Sequence, residues 1–279
     1  MAESLSLWGP LLDDSTFKQE VSELGYSRER SFVGYLKKHG LDVKLKKSGA
    51  ITAPNLSIDF FARQSRELTK LGFYVIRTGK GKFMVFKEDV FPRPYLDLKT
   101  KDSTDFDPKA PAGFEQLAKC FVDNSLENSA LEQLRFMGFF DSLVKQVTKQ
   151  SEYFVGPRGN RVSDFDVYMK KKTGELVRAF HFNGQEELDY SLFTKNAVFL
   201  IEAKNMKGEG GFDVGWHKIA FPAYRLSQMA DTRIIPCYFL RKPKASYFFV
   251  FPDFKFNEKG VVLNDEKDFT PRLTFRISS

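Results

Sequence analysis

Cysteine is nearly absent. Cys120 and Cys237 are the only two in 279 residues, and neither stands in a CxxC spacing. That excludes a disulfide scaffold, a zinc ribbon and an iron–sulfur cluster. Long apolar runs are missing as well: stretches such as AVFLI at 197–201 and YFFVF at 247–251 are five residues long. A membrane-spanning helix needs about 20, so none is expected. The opening MAESLSLWGPLLDD has no basic n-region and carries early acids, so it does not read as a secretory leader, and a cytoplasmic chain is expected. No internal repeat or low-complexity tract appears. What is present, 42% hydrophobic and 28% charged residues, is the composition of a globular protein able to build real cores.

The charge is unevenly placed. Between Ser27 and Lys87 there are 14 Lys and Arg against four acids, a net +10, while the whole chain carries +7. A basic block on a folded segment is the footprint of a polyanion binder, most often nucleic acid. The 30 phenylalanines are more simply core than base-stacking platforms, because most fall at periodic positions.

The chain divides into residues 1–90, a linker or extended crossing segment at 91–112 with Pro92, Pro94, Pro108 and Pro111, and residues 113–279. Three helices are predicted in the first part. One opens at Ser15 and stops at Gly25, one runs from Ser27 to Gly40, and one is capped by Ser57 and ends at Gly72. FYVIR and KFMVF then flank a Gly-containing turn as a hairpin. Helices followed by a ribbon with a Lys-rich tip resemble a winged-helix DNA-binding domain. That resemblance makes Arg63, Arg66 and Lys70 on the third helix, and Lys80 and Lys82 at the hairpin tip, candidate contacts to double-stranded DNA.

The second part begins with helices predicted over 113–124 and 129–151. Strands come next, in hairpins around Thr173-Gly174 and Thr194-Lys195-Asn196. A helix over 216–230 with a possible kink at Pro222, and strands at 233–241 and 245–252, complete an α/β core around a mixed sheet, α+β overall. Within it, the buried run Ala197–Ile201 ends in Glu202-Ala203-Lys204. Strand alternation sends Glu202 and Lys204 to one side and Ala203 to the other. Asp189 lies 13 residues before Glu202, at the start of the paired strand, where the hairpin brings it alongside. Two carboxylates with the Ala203 carbonyl make an oxygen-only site suited to Mg²⁺, with Mn²⁺ as a substitute. A neighbouring ammonium stabilises charge on phosphorus or orients a water.

At these residues the chain resembles the PD-(D/E)xK nuclease superfamily, the core of most type II restriction endonucleases. The resemblance makes Asp189 and Glu202 metal ligands and Lys204 the catalytic lysine, with Leu188 in place of the family's proline. Asp166, in Ser163-Asp164-Phe165-Asp166-Val167, is a rival for the metal-binding aspartate, separated from Glu202 by a 36-residue connection. Family members often add an acid from the preceding helix, for which Glu132 and Glu115 are candidates. Lys218, Tyr224, Arg225 and Gln228 are candidates on the helix after the lysine, which often lines the DNA. His217 has no second His or Cys at ligand spacing and reads as structural or DNA-contacting. Gly208–Gly211 lacks the context of a phosphate-binding loop. The resemblance implies a sequence-specific, Mg²⁺-dependent double-strand endonuclease working as a homodimer. Its rivals are a structure-specific repair, recombination or transposition nuclease and a non-enzymatic DNA-binding regulator.

Overall fold

The computed structural model describes residues 7–41, 60–100, 102–107, 109, 111–116, 127–206, 213–242, 245–255, 257–265 and 270–278. Helix α1 (Gly9–Asp13) leads into α2 (Ser15–Leu24), which starts where Asp14 accepts the Thr16 and Phe17 amides. Gly25, at φ 80°, stops it. The next helix begins later than Ser27. The Ser27 amide and hydroxyl are both bonded to the backbone of Val85, which holds this residue against the hairpin. A two-residue strand, β1 (Arg30–Ser31), intervenes, and Ser31 instead caps α3 (Phe32–Lys38) by accepting the Gly34 amide.

Ser57 and Ile58 lie outside the described residues. Beyond Phe60 the chain forms not one helix but a 3-10 turn at Phe61–Arg63 and the short α4 (Arg66–Thr69). The break is at Gln64, whose buried side chain bonds both backbone groups of Val75 and the Tyr95 hydroxyl. A helical Gln64 would forfeit those bonds, and a buried backbone group left unpaired costs about 1–3 kcal/mol.

Strands β2 (Phe73–Gly79) and β3 (Lys82–Lys87) form the predicted hairpin, and β1 adds to its edge. Lys80 and Gly81 both take positive φ, 43° and 70°, as a two-residue turn matched to strand twist requires. The hairpin is buried on both faces. Val75, Phe83 and Val85 pack on Trp8, Phe17 and Phe32, while Tyr74, Ile76, Met84 and Phe86 join the core of the rest of the chain. Two parts of the segment 91–112 are paired into sheets: β4 (Tyr95–Asp97) pairs with β11 (Asp213–Gly215), and β5 (Thr104–Phe106) pairs with β15 (Leu273–Ser278).

Most of the predicted helix 113–124 lies outside the described residues. The predicted helix 129–151 is two, α5 (Glu127–Phe136) and α6 (Phe139–Thr148), parted at Gly138, whose φ of 73° cannot continue a right-handed helix. Then come β6 (Phe154–Val155), β7 (Gly159–Lys170), β8 (Leu176–Leu188), β9 (Tyr190–Phe193), β10 (Ala197–Asn205), α7 (His217–Ser227), β12 (Arg233–Arg241), β13 (Ala245–Val250) and β14 (Val261–Val262). A mixed seven-stranded sheet has the order β5-β15-β13-β12-β10-β9-β6, with β10 and β12 parallel at its centre. Phe199, Ile201 and Ala203 face α5 and α6; Val198 and Leu200 face α7 and the separate β14-β7-β8 sheet. Among the described residues, no helix is long and apolar enough to cross a membrane.

Candidate active site

The site forms where the buried apolar run of β10 ends. Thr194 closes the β9–β10 turn by exchanging side-chain and backbone bonds with Ala197. That turn sets the register Tyr190 to Ile201, so Asp189 and Glu202 stand one residue further along on either strand. Asp189 Oδ2 accepts the Ala203 amide at 2.8 Å. Lys204 Nζ lies 2.8 Å from Glu202 Oε1, 3.7 Å from Asp189 Oδ2 and 3.6 Å from Glu127 Oε2. Glu127 is fastened in turn: its Oε1 accepts the Asn205 amide at 2.9 Å. Three carboxylates, from α5, from β10 and from the bend between β8 and β9, thus surround one ammonium at the end of β10.

Burial sets the electrostatics. The Glu202 side chain is 4% exposed and that of Lys204 12%. Loss of water pushes the Glu202 carboxyl up to about 8, with the Asp189 charge adding to the rise and the Lys204 and Lys218 ammoniums opposing it. Glu202 Oε2 is buried and has no hydrogen-bond donor among the described residues. Among the described residues, no group of three or more His, Cys, Asp or Glu stands arranged to hold a metal ion; the position between the three carboxylates is taken by the Lys204 ammonium.

Asp166 is elsewhere. It sits on the outward side of β7, and the hydrogen bonds it shares with His181 Nδ1 and Arg178 hold its carboxyl below the usual range. Glu132 is engaged by Arg158, Arg135 and the Tyr190 hydroxyl, and exposed Glu115 accepts the Gly113 amide; neither reaches Lys204. The helix acid that does reach it, Glu127, escapes the sequence pattern because the predicted helix begins two residues later. A signal is nonetheless present. Glu127, Leu131 and Leu134 are spaced i, i+4, i+7, which places Glu127 on the same inward stripe as two buried leucines.

The DNA-contact candidates divide. Arg63, Arg66, Lys70 and Lys80 lie on the N-terminal part, Arg63 over the Phe60 ring at 4.8 Å and Lys80 exposed at the hairpin tip. Lys82 is exposed but ion-paired with Glu29 at 2.7 Å. Lys218, in the first turn of α7, acts electrostatically on Glu202. Tyr224 is a correction: it is 7% exposed, its ring against Phe165, because it falls on the core-facing stripe of α7. Arg225 is ion-paired with buried Glu186, and Gln228 stands just after the helix. His217 packs its ring near Phe221 and Tyr95. Gly208–Gly211 and Cys120 lie outside the described residues.

A family model described as a domain of unknown function (DUF6997) matches residues 93–268. All four residues of the carboxylate–lysine cluster fall within that span, whereas β1 to β3 and α1 to α4 precede it. No curated protein and no solved structure matches the chain.

Proposed function

The chain belongs to the DUF6997 family, and from its own side chains we propose that it is a divalent-metal-dependent endonuclease of double-stranded DNA, of the PD-(D/E)xK kind and with the sequence specificity of a type II restriction enzyme. One observation carries this reading: Lys204 Nζ within 3.7 Å of Glu202, Asp189 and Glu127 at the end of a central strand. An ion pair on a solvated surface needs one acid; a half-buried lysine ringed by three is costly unless the set has work to do.

The donors are of the kind Mg²⁺ takes, and an ion there would displace the Lys204 ammonium from between them. They are all oxygen, and Glu202 Oε2 has no hydrogen-bond partner among the described residues. Asp189, Glu202 and Glu127 are the residues that would hold the ion, with the Ala203 carbonyl next to Glu202 in sequence. When bound, the ion supplies charge neutralisation at the phosphodiester and a more acidic water. The chain's own part is positional. The amides of Ala203 and Asn205 hold Asp189 and Glu127, while Lys204 brings a positive charge to the phosphate oxygens as negative charge grows on them.

The N-terminal part supports duplex recognition on the winged-helix pattern: helices, then a three-stranded antiparallel sheet ending in a lysine-tipped hairpin, with Arg63, Arg66 and Lys70 just before it. A dimer accords with the need to cut two strands with one site per chain. Digestion of a sequenced plasmid tests the whole reading. Discrete fragments in Mg²⁺ or Mn²⁺, abolished by EDTA, are expected. Cleavage confined to branched or flapped DNA would instead make it a structure-specific nuclease, and duplex binding without cleavage a regulator.

A further inference from the structure

Beside the carboxylate site lies an arginine whose placement the fold over-determines. Gly159 pairs with Leu188 across β7 and β8, so Arg158 and Asp189 are the next residues beyond that pair. The loop before Arg158 is drawn tightly onto β9. The Gly156 amide bonds the Ser191 carbonyl, Ser191 Oγ donates to the Pro157 carbonyl at 2.9 Å, and a Cβ on Gly156 would stand 2.4 Å from Phe193 and Ser191. Any larger side chain there would have to push Phe193 and Ser191 aside. The Arg158 guanidinium then lies over the buried Tyr190 ring at 4.5 Å and bonds Glu132. The Tyr190 hydroxyl donates to the same carboxylate at 3.3 Å, and Arg135 pairs with its other oxygen at 3.3 Å.

The arrangement is a poor stability device. The Arg158 side chain is 36% exposed and that of Arg135 49%, and ion pairs so exposed are worth about 0–1 kcal/mol. As an anion-binding device it is well made. Two guanidiniums share one carboxylate, so the group keeps a net positive charge. A guanidinium has five N–H donors in a rigid fork, and Glu132 takes one from Arg158. Its seat over the Tyr190 ring and its bond to Glu132 restrain the fork before any ligand arrives, which removes part of the ordering cost of binding.

We propose that Arg158, seated on Tyr190 and oriented by Glu132 with Arg135 beside it, is a phosphate-binding subsite that takes a backbone phosphate of the nucleic-acid strand neighbouring the one held at Asp189, Glu202 and Lys204. The inference rests on the nuclease reading for its substrate. Its placement fits, because Arg158 and Asp189 both stand one residue beyond the Gly159–Leu188 pair and Tyr190 directly follows Asp189 in the chain.

The test uses the full chain with R158A, R158Q and R158K. A labelled duplex is titrated in Ca²⁺ over a range of salt, and cleavage is measured under single turnover in Mg²⁺. R158A and R158Q should bind about tenfold more weakly and lose about one unit of salt slope, as for one phosphate contact removed. R158K should recover part of the affinity through its charge. A set of duplexes, each with one neutral methylphosphonate, should contain one that weakens the wild type but not R158A. Unchanged affinity and slope in R158Q, with a lowered melting temperature, would make Arg158 a structural residue and overturn the proposal. Duplex binding without cleavage in the wild type would sink the nuclease reading alone, since the salt-slope comparison still decides the subsite; no binding to any polynucleotide would remove both.

Discussion

Glu127 Oε1 accepts the Asn205 backbone amide at 2.9 Å, and its other oxygen lies 3.6 Å from Lys204 Nζ. This joins the first turn of α5 to the end of β10 and adds a third acid to the pair on the β9–β10 hairpin. E127A is therefore expected to slow single-turnover cleavage by about 10²–10³-fold, the scale for loss of one group aligned with the reacting phosphate. E115A, on an exposed residue that does not reach Lys204, should cleave at the wild-type rate. Equal rates for E127A and wild type would remove Glu127 from the site.

D189A, E202A and K204A should each abolish cleavage in Mg²⁺ while retaining duplex binding in Ca²⁺. D166A should cut normally, because Asp166 is spent on His181 and Arg178 on a different sheet. Cleavage assays on the four variants decide between the two aspartates. An inactive D166A beside an active D189A would transfer the metal role.

The raised Glu202 carboxyl ties stability to pH. Burial lifts it from 4.5 to about 8, so the folded chain holds a proton there that the unfolded chain has released. This contribution is fully present below pH 4.5 and is lost as pH rises towards about 8. Urea midpoints measured without divalent ions should therefore fall for the wild type, relative to E202Q, across that window. Mg²⁺ binding needs the ionised carboxylate, so added Mg²⁺ should stabilise more strongly towards its upper end. A wild-type minus E202Q difference that does not change with pH would refute the coupling.

At the hairpin tip, Gly79 has φ 108°, and a Cβ there would stand 2.3 Å from the Asn183 carbonyl oxygen. G79A should cost at least about 1–3 kcal/mol, from backbone strain and from separating the tip from β8. G81A, also at positive φ but with nothing within 4 Å, should cost only about 1 kcal/mol. Denaturant unfolding of the two variants checks the order. It also reports how firmly the hairpin is held, since Tyr74, Ile76, Met84 and Phe86 share a core with Phe165 and Phe182.

Local patterns in the sequence settle much of this chain. Alternation in FYVIR and KFMVF, the run Ala197–Ile201 and the short turn at 194–196 determine two hairpins, and with them the meeting of Asp189, Glu202 and Lys204. All of these depend on neighbours within about a dozen residues, where side-chain period and turn length leave little choice. Tertiary packing decides the rest. Residues 91–112 look like a linker because their bonding partners, β11 and β15, lie far along the chain. Gln64 ends a promising helix because Val75 and Tyr95 compete for its amide. Tyr224 looks available until Phe165 covers it. Glu127 and Arg158 lie beyond the reach of the hairpin pattern, since each joins the site through an element that only the folded sheet brings alongside. Short-range order is written in spacing; long-range order comes from which buried polar groups and apolar faces find each other in three dimensions.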